Sequence, residues 1–156
     1  MTTESLRAER VLLGLGGFSL ALILGALGFQ YLGHLAPCEM CHWQRWPHIA
    51  AAFLGISGLF WARGQARMLA WVVIGLILLS GLIGAYQAGM QIGWLPGPAA
   101  CSIPHPYVMG RTDNVVVQCN VVTWSLFGLS LAAYNALLSI AAAAIAAFCL
   151  RKKDAA

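Results

Sequence analysis

The run MLAWVVIGLILLSGLIGAYQAGMQI, residues 68–92, contains no aspartate, glutamate, lysine or arginine. An α-helix rises 1.5 Å per residue, so about 20 apolar residues cross the hydrocarbon core of a bilayer. This run is long enough to do so as one helix. It predicts a membrane-spanning segment, and the remaining apolar runs decide how many such segments the chain contains.

Three more apolar runs lie at residues 11–32, 46–62 and 121–150. The run at 46–62 is short unless its helix begins near Trp43, which brings Arg45 to the membrane interface and puts Pro47 in the first helical turn. The first run exceeds the roughly 7–15 apolar residues of a cleavable signal peptide, so we expect it to be retained as a helix.

These runs predict an all-α membrane protein, a four-transmembrane-helix bundle in a single domain 1–156. The expected spans are about 11–32, 43–62, 68–92 and 121–150, and the outward loops are 33–45 and 93–120. Of the 156 residues, 60% are hydrophobic and 9% are charged. Soluble domains carry about a quarter charged residues, so the bilayer is an expected partner. A net charge of +4 without a clustered basic face predicts no nucleic-acid partner.

Basic residues predict the orientation of the bundle. Seven of the nine lie in the termini or between the second and third runs, namely Arg7, Arg10, Arg63, Arg67, Arg151, Lys152 and Lys153. Only Arg45 and Arg111 lie elsewhere. Because cytoplasmic segments are enriched in lysine and arginine, both termini are expected in the cytoplasm.

This orientation separates the five cysteines. Cys38, Cys41, Cys101 and Cys119 fall in or beside the outward loops, where disulfides persist, whereas Cys149 falls at the cytoplasmic end of the fourth span. We therefore expect the chemistry of the protein to involve the four outward cysteines.

The sequence Cys38-Glu39-Met40-Cys41-His42 is compatible with several kinds of site. Covalent haem would use both cysteines with His42 as axial ligand, but it leaves Cys101 and Cys119 unexplained. Zinc could take these cysteines with two of His34, His42, His48 and His105, or it could take all four outward cysteines, but the second pair is too widely spaced for a typical zinc site. We predict no metal. A redox-active dithiol and purely structural disulfides remain.

The surroundings of Cys41 favour a reactive thiol. Cys41 lies at the outward N-terminus of the predicted second helix, where the helix dipole stabilises a thiolate. Arg45, four residues later, shares its helical face. An arginine at the membrane boundary is costly without a partner, and a thiolate or the oxygen of a membrane-soluble ligand would supply one.

Two other patterns concern helix packing. Small residues recur every fourth position at Gly17-Ala21-Gly25 and Gly81-Ala85-Gly89, a spacing that lets helix backbones approach closely in lipid. The polar residues Gln87, Gln91 and Asn135 lie in or near the spans. We expect them to form interhelical hydrogen bonds, with the lining of a ligand groove as the alternative.

The segment FQYLGHLAPCEMCHWQR, residues 29–45, resembles the first span and outer loop of the disulfide bond formation protein B (DsbB) family. The stretch WSLFGLSLAAYN after Cys119 resembles the start of that family's fourth helix. The resemblance implies an enzyme of the bacterial inner membrane with its active cysteines in the periplasm. Such an enzyme oxidises a DsbA-like thioredoxin-fold protein and passes the electrons to a quinone, either ubiquinone or menaquinone.

The resemblance also implies a role for each site residue. Cys101–Cys119 accepts electrons from the partner, with Cys101 forming the mixed disulfide. Cys38–Cys41 reoxidises that pair, and Cys41 faces the quinone ring. Arg45 supports the quinone and the thiolate charge. A vitamin K epoxide reductase-like enzyme and a non-enzymatic scaffold with structural disulfides remain as alternatives.

Overall fold

Four α-helices dominate the part of the chain that the computed structural model describes, which is residues 3–61, 63–98, 101 and 118–151. The helices are α1 (Thr3–Tyr31), α2 (Glu39–Trp61), α3 (Ala66–Gln91) and α4 (Leu131–Arg151). A 3₁₀ turn, Arg63–Gln65, joins α2 to α3, and the strands β1 (Ser125–Leu126) and β2 (Leu129–Ser130) form a hairpin before α4. Most of the predicted loop 93–120, including Arg111, lies outside the described residues, as do Lys152 and Lys153.

The predicted four-helix membrane fold is confirmed. Helices α1, α3 and α4 contain 29, 26 and 21 residues and are long and apolar enough to cross a membrane. Helix α2 has 23 residues, a comparable length, but polar side chains in its first half lower its hydropathy. Two of these side chains, Gln44 and His48, are buried between the helices, so their polarity is directed into the bundle.

Helix α2 begins at Glu39, before the expected start near Trp43, because Cys38 caps it. The Cys38 carbonyl accepts a hydrogen bond from the His42 N–H at 3.3 Å, and the Cys38 sulfur accepts one from the Cys41 N–H, also at 3.3 Å. The sulfur takes the place of a serine or aspartate oxygen at a helix N-cap. The prediction that Pro47 lies in the first turn is therefore wrong, because Pro47 lies inside α2.

Helix α4 begins at Leu131, whereas the predicted span begins at residue 121. The chain first reverses direction at Phe127 and Gly128, which have φ values of 50° and 78°. Two consecutive residues with positive φ are typical of the tight turn of a β-hairpin. The Ser130 hydroxyl then accepts a hydrogen bond from the Ala133 N–H at 3.2 Å and caps the helix.

Helix α3 is the centre of the bundle, because it has the most extensive contacts with the other three helices. Its side chains Val73 and Ile77 are fully buried, as is Leu12 of α1, and all three belong to the main apolar core. Helix α1 packs more extensively against α2 and α3 than against α4. The α1 and α4 helices therefore leave space between them, which becomes important for the site.

The closest helix–helix approach involves Gly16 of α1 and Gly55 of α2. A Cβ atom on Gly16 would lie 2.9 Å from the Gly55 Cα, a distance that real structures do not tolerate. The predicted stripe Gly17-Ala21-Gly25 does not make this contact, since a Cβ on Gly17 or Gly25 would meet nothing within 4 Å. That prediction is wrong by one residue in the helical register.

The stripe predicted on α3 is partly correct. A Cβ on Gly81 would lie 3.1 Å from Ser139 of α4, and one on Gly84 would lie 2.9 Å from the Ala132 carbonyl oxygen. The close approach of α3 and α4 therefore depends on Gly81 and Gly84 rather than on Ala85.

Gly16→Ala tests this packing. We expect it to destabilise the protein by about 1–3 kcal/mol, because two helix backbones must separate to admit the methyl group. Thermal unfolding in detergent, followed by circular dichroism, measures the effect. Gly17→Ala is the matched control and should unfold like the wild type. Equal stability of the two variants would contradict the Gly16–Gly55 contact.

Candidate functional site

Cys38 and Cys41 form a close dithiol pair at the start of α2. Their sulfur atoms lie 2.7 Å apart, with Cys38 at the N-cap and Cys41 in the first turn. Cys38 is buried and Cys41 is partly accessible. Only a small movement of the two sulfurs separates this arrangement from a disulfide.

The first turn of α2, which precedes the predicted start of the span at residue 43, favours a thiolate on Cys41. The hydrogen bond from the Cys38 thiol lowers the pKa of Cys41 to about 6, and burial opposes this shift. Gln87 and the positive charge of Arg45 also lower the pKa of Cys41. The shared hydrogen bond and burial raise the pKa of Cys38, so Cys38 keeps the proton that the two thiols share.

Cys101 and Cys119 form a disulfide that packs against this pair. Their Cα atoms are 5.4 Å apart, and the pairing is the one that the resemblance implies. Both residues are buried in one small cluster with Cys38, Met40 and Met90. The structure thus brings together the four cysteines that the sequence predicts to face outward, although the two pairs lie far apart in sequence.

A cavity of about 370 Å³ lies beside the dithiol, between α1, α2 and α4. About half of its lining residues belong to α1 and α4 and are mostly apolar, and residues within segments 35–37 and 123–126 also line it. Helix α2 contributes four polar side chains, which are Cys41, Gln44, Arg45 and His48. Ala21 and Gly25, which the sequence assigned to helix packing, line this cavity instead.

Arg45 is held in the cavity wall by α1. Its guanidinium donates hydrogen bonds to the Gln30 side-chain oxygen at 2.5 Å and to the Ala26 carbonyl oxygen at 3.4 Å. These contacts differ from those of an arginine that extends to lipid headgroups. The remaining guanidinium N–H groups are available to a molecule in the cavity.

Gln87 of α3 connects the two cysteine pairs. Its side-chain N–H group donates to the Cys38 sulfur at 3.2 Å and to the Cys119 carbonyl oxygen at 3.3 Å. Its oxygen accepts a hydrogen bond from Gln44 at 2.6 Å. Gln87 and Asn135 therefore form interhelical hydrogen bonds and also line the cavity. The expected hydrogen bonding and its alternative, the lining of a groove, both apply to these two residues.

Sequence reasoning missed Gln44 and Gln30 and considered His48 only as a zinc ligand. The signal for Gln44 and His48 is their spacing, because they follow Cys41 by three and seven residues on the face that carries Arg45. Gln91, the third polar residue singled out on or near the spans, has a buried side-chain oxygen without a hydrogen-bond partner.

The geometry around His42 differs from that of a haem or zinc site. His42 is exposed at the start of α2. Among the described residues, no three histidine, cysteine, aspartate or glutamate side chains come close enough to hold a metal ion. His105 lies outside the described residues.

Comparison with known proteins agrees with the resemblance seen in the sequence. The family model described as disulfide bond formation protein DsbB matches residues 8–149. A disulfide bond formation protein B of Dechloromonas aromatica is 32% identical over 162 residues, covering 95% of this chain and 94% of the relative. Those of Aromatoleum aromaticum and Nitrosomonas eutropha are 30% and 32% identical, and each alignment covers 85% of this chain and 89% and 88% of the relative.

No solved structure matches the chain. The family model spans nearly the whole sequence, including α2, α3, most of α1 and α4, and both cysteine pairs. The chain therefore belongs to the DsbB family, as a multi-pass bacterial membrane protein of disulfide bond formation.

Proposed function

We propose that this protein is an inner-membrane thiol oxidase that reoxidises a periplasmic DsbA-like thioredoxin-fold protein and passes the electrons to a membrane quinone. One observation carries the proposal. The Cys38/Cys41 dithiol lies between the Cys101–Cys119 disulfide on one side and a cavity containing Arg45 on the other. An electron pair that enters at the disulfide therefore has a short route to a ligand in the cavity.

The cavity has the properties of a quinone site. Its volume of about 370 Å³ falls in the range of about 300–1,000 Å³ that is usual for small-molecule sites. Apolar walls from α1 and α4 suit a ring and tail that dissolve in lipid. Arg45 would hold a ring oxygen, and Cys41 would face the ring. The space between α1 and α4 gives such a molecule access from the bilayer.

A bound quinone, ubiquinone or menaquinone, supplies a two-electron acceptor linked to respiration. Such an acceptor is needed because a DsbA-type protein has a reduction potential near −120 mV, so ordinary disulfides, which are weaker oxidants, cannot reoxidise it. The sulfur that hands over the electrons should be a thiolate, and the lowered pKa of Cys41 meets that requirement.

The thiol steps follow ordinary disulfide exchange. A partner thiolate attacks the Cys101 sulfur, and Cys119 leaves as a thiolate. The second partner thiol then displaces Cys101, so the partner gains a disulfide and this chain gains a dithiol. The Cys101/Cys119 dithiol reduces a Cys38–Cys41 disulfide in the same manner, which leaves the electron pair and two protons at Cys38 and Cys41.

We assign Cys101 as the residue that reacts with the partner, and Cys101→Ala tests this division of labour. The variant should lose oxidation of a reduced DsbA-like protein by at least about a hundredfold, because no disulfide remains to accept its electrons. Added quinone should still oxidise the Cys38/Cys41 dithiol. Thiol quantification and quinone absorbance measure the two reactions separately. Cys149→Ala is the matched control, and normal partner oxidation by Cys101→Ala would refute the assignment.

The proposed orientation places both termini in the cytoplasm and the four site cysteines in the periplasm. Single-cysteine variants in intact cells test it with a membrane-impermeant maleimide. A lone Cys101 or Cys119 lacks the disulfide that holds it in the buried cluster and should be labelled. A lone Cys149 should react only after the cells are lysed, because the bilayer shields it. Labelling of Cys149 in intact cells together with silence at Cys101 would invert the topology.

Arg45→Ala tests the quinone site. A hydrogen bond to a charged group contributes roughly 1.5–3 kcal/mol, so kcat/KM for a soluble quinone should fall about 10- to 150-fold. Arg45→Lys should be intermediate, since it keeps the charge without the planar fork. Disulfide exchange with the partner should stay near normal. Arg67→Ala, which removes an exposed arginine paired with Glu4 at 3.2 Å, is the control. Unchanged quinone kinetics in Arg45→Ala would leave Arg45 a structural residue.

A further inference from the structure

A continuous chain of hydrogen bonds runs from α1 to the cysteine pair and includes one or more side chains from every helix. Its members, in order, are Ser19, His48, Asn135, Gln44 and Gln87, and it ends at the Cys38 sulfur. The successive donor–acceptor distances are 3.2, 3.1, 2.8, 2.6 and 3.2 Å. All of these residues except Asn135 are buried. The exchange of electrons between the two cysteine pairs does not by itself require these hydrogen bonds.

Two backbone carbonyl groups determine which partner donates and which accepts at each step of this hydrogen-bond chain. A carbonyl oxygen only accepts hydrogen bonds, so the Cys119 carbonyl requires the Gln87 amide to point its N–H group toward it. The Gln87 oxygen then faces Gln44, which must donate. At the other side, the Ser80 carbonyl lies 3.2 Å from Asn135 and fixes that amide in the same way.

The same order of donors and acceptors continues to His48. With its N–H group turned toward Ser80 and Gln44, Asn135 offers its oxygen to the His48 Nε2 atom, which therefore carries the hydrogen. The Nδ1 atom of His48 is then free to accept from the Ser19 hydroxyl. Every link consequently donates toward the cysteines, and the final donor is the Gln87 N–H group.

We propose that Gln87 is a positioning residue of the redox site, held by this chain so that its N–H group stabilises the negative charge of the Cys38/Cys41 dithiol. The proposal rests on the proposed function in treating this pair as the redox-active one. Hydrogen bonds that point the same way polarise one another, and a low-dielectric interior strengthens them. A donor at the end of such a chain stabilises a thiolate more than an isolated amide would.

The same N–H group faces more than one atom of the site. It lies 3.2 Å from the Cys38 sulfur and 3.9 Å from the Cys41 sulfur. It therefore stabilises a negative charge on either sulfur. The Gln87 hydrogen bond acts to lower the pKa of both thiols. In Cys38, its effect is outweighed by the hydrogen bond with Cys41 and by burial.

Few other charged groups in the described part of the chain compete with this effect. Helix α3 faces the pair with the uncharged residues Ile83, Gln87 and Met90, and Cys101 and Cys119 are joined in a disulfide. Helix α2 contributes the charge of Arg45 to Cys41 and, through the chain, the titratable ring of His48. Arg45 donates its hydrogen bonds to Gln30 and Ala26 of α1 rather than to Gln87 or Gln44, so its contribution remains when the hydrogen-bond chain is interrupted.

Gln87→Leu tests the proposal in the reduced full-length protein in detergent, without quinone and without a partner. Cys101→Ala and Cys119→Ala are present in every sample, so that Cys38 and Cys41 are the two thiols of the site that can ionise. Iodoacetamide alkylation is followed over a series of pH values, and mass spectrometry of peptides reports Cys41 and, as an internal reference, Cys149. The pH midpoint of Cys41 alkylation should rise by about one unit, which is about a tenfold lower rate on the acidic side of the midpoint. The plateau rate at high pH reports access to the sulfur separately from its ionisation.

A second variant and a control complete the test. Asn135→Leu leaves Gln87 and Gln44 in place but disconnects them from His48 and Ser19, and it should shift the midpoint in the same direction by less. Gln91→Leu, one turn from Gln87 on the same helix, should leave the midpoint unchanged. Interhelical hydrogen bonds in membrane proteins average only about 0.6 kcal/mol, so these variants are expected to fold.

The outcomes separate this proposal from a purely structural role and from the proposed function. Suppose that Gln87→Leu or Asn135→Leu lowered the melting temperature while both variants kept the wild-type midpoint. The hydrogen-bond chain would then contribute only to helix packing, and the proposal would be refuted. A shifted midpoint in a protein that never oxidises a DsbA-like partner would support the positioning role and refute the proposed function. The alkylation assay contains neither partner nor quinone, so the two results are independent.

Discussion

The site depends on where α2 begins, and the sulfur of Cys38 sets that point. By accepting the Cys41 N–H, Cys38 starts the helix at Glu39. Cys41, Gln44, Arg45 and His48 then occupy positions i, i+3, i+4 and i+7 of one helical face. A start near Trp43 would leave Cys41 and Gln44 without this fixed relation. The start of α2 at Glu39 therefore sets the positions of Cys41, of Arg45 and of the hydrogen-bonded side chains Gln44 and His48 relative to one another.

The same contact links folding of α2 to the redox state of the pair. As a free thiol, Cys38 accepts the Cys41 N–H and donates its own hydrogen to the Cys41 sulfur, so one residue caps the helix and also favours the neighbouring thiolate. The helix dipole adds to this effect, since Cys41 lies in the first turn. Closing a Cys38–Cys41 disulfide would remove the donated hydrogen bond and, with it, this stabilisation of the Cys41 thiolate.

The elements that the sequence predicted well are those with strong, local signals. An uncharged run such as 68–92 specifies a spanning helix by length alone, and the four-residue spacing of Cys41 and Arg45 correctly placed both at one surface, the wall of the cavity. Errors arose where local conformation overrides composition. Apolar residues continue from 121 into α4, and only the positive φ values of Phe127 and Gly128 show that the chain turns there first.

Packing partners were harder to predict, because they depend on helix rotation. Gly16 and Gly17 are adjacent and chemically identical, yet only Gly16 faces another backbone. The stripe beginning at Gly17 satisfied the small-residue pattern, and its members Ala21 and Gly25 leave room for a ligand cavity instead. A sequence pattern therefore identified a surface with small side chains, but it could not distinguish a surface that another helix covers from one that stays open.

The low hydropathy of α2 follows from the same arrangement. In lipid, polar groups must find partners within the protein, so Gln44 and His48 are compatible with a membrane helix only when the neighbouring helices supply acceptors and donors. Ser19, Gln87 and Asn135 supply them from α1, α3 and α4. Because each such bond contributes little to helix association, stability alone is a weak reason to place five polar side chains between the helices. Their common direction toward the cysteine sulfurs agrees with the role proposed for Gln87, which is to stabilise negative charge on the dithiol.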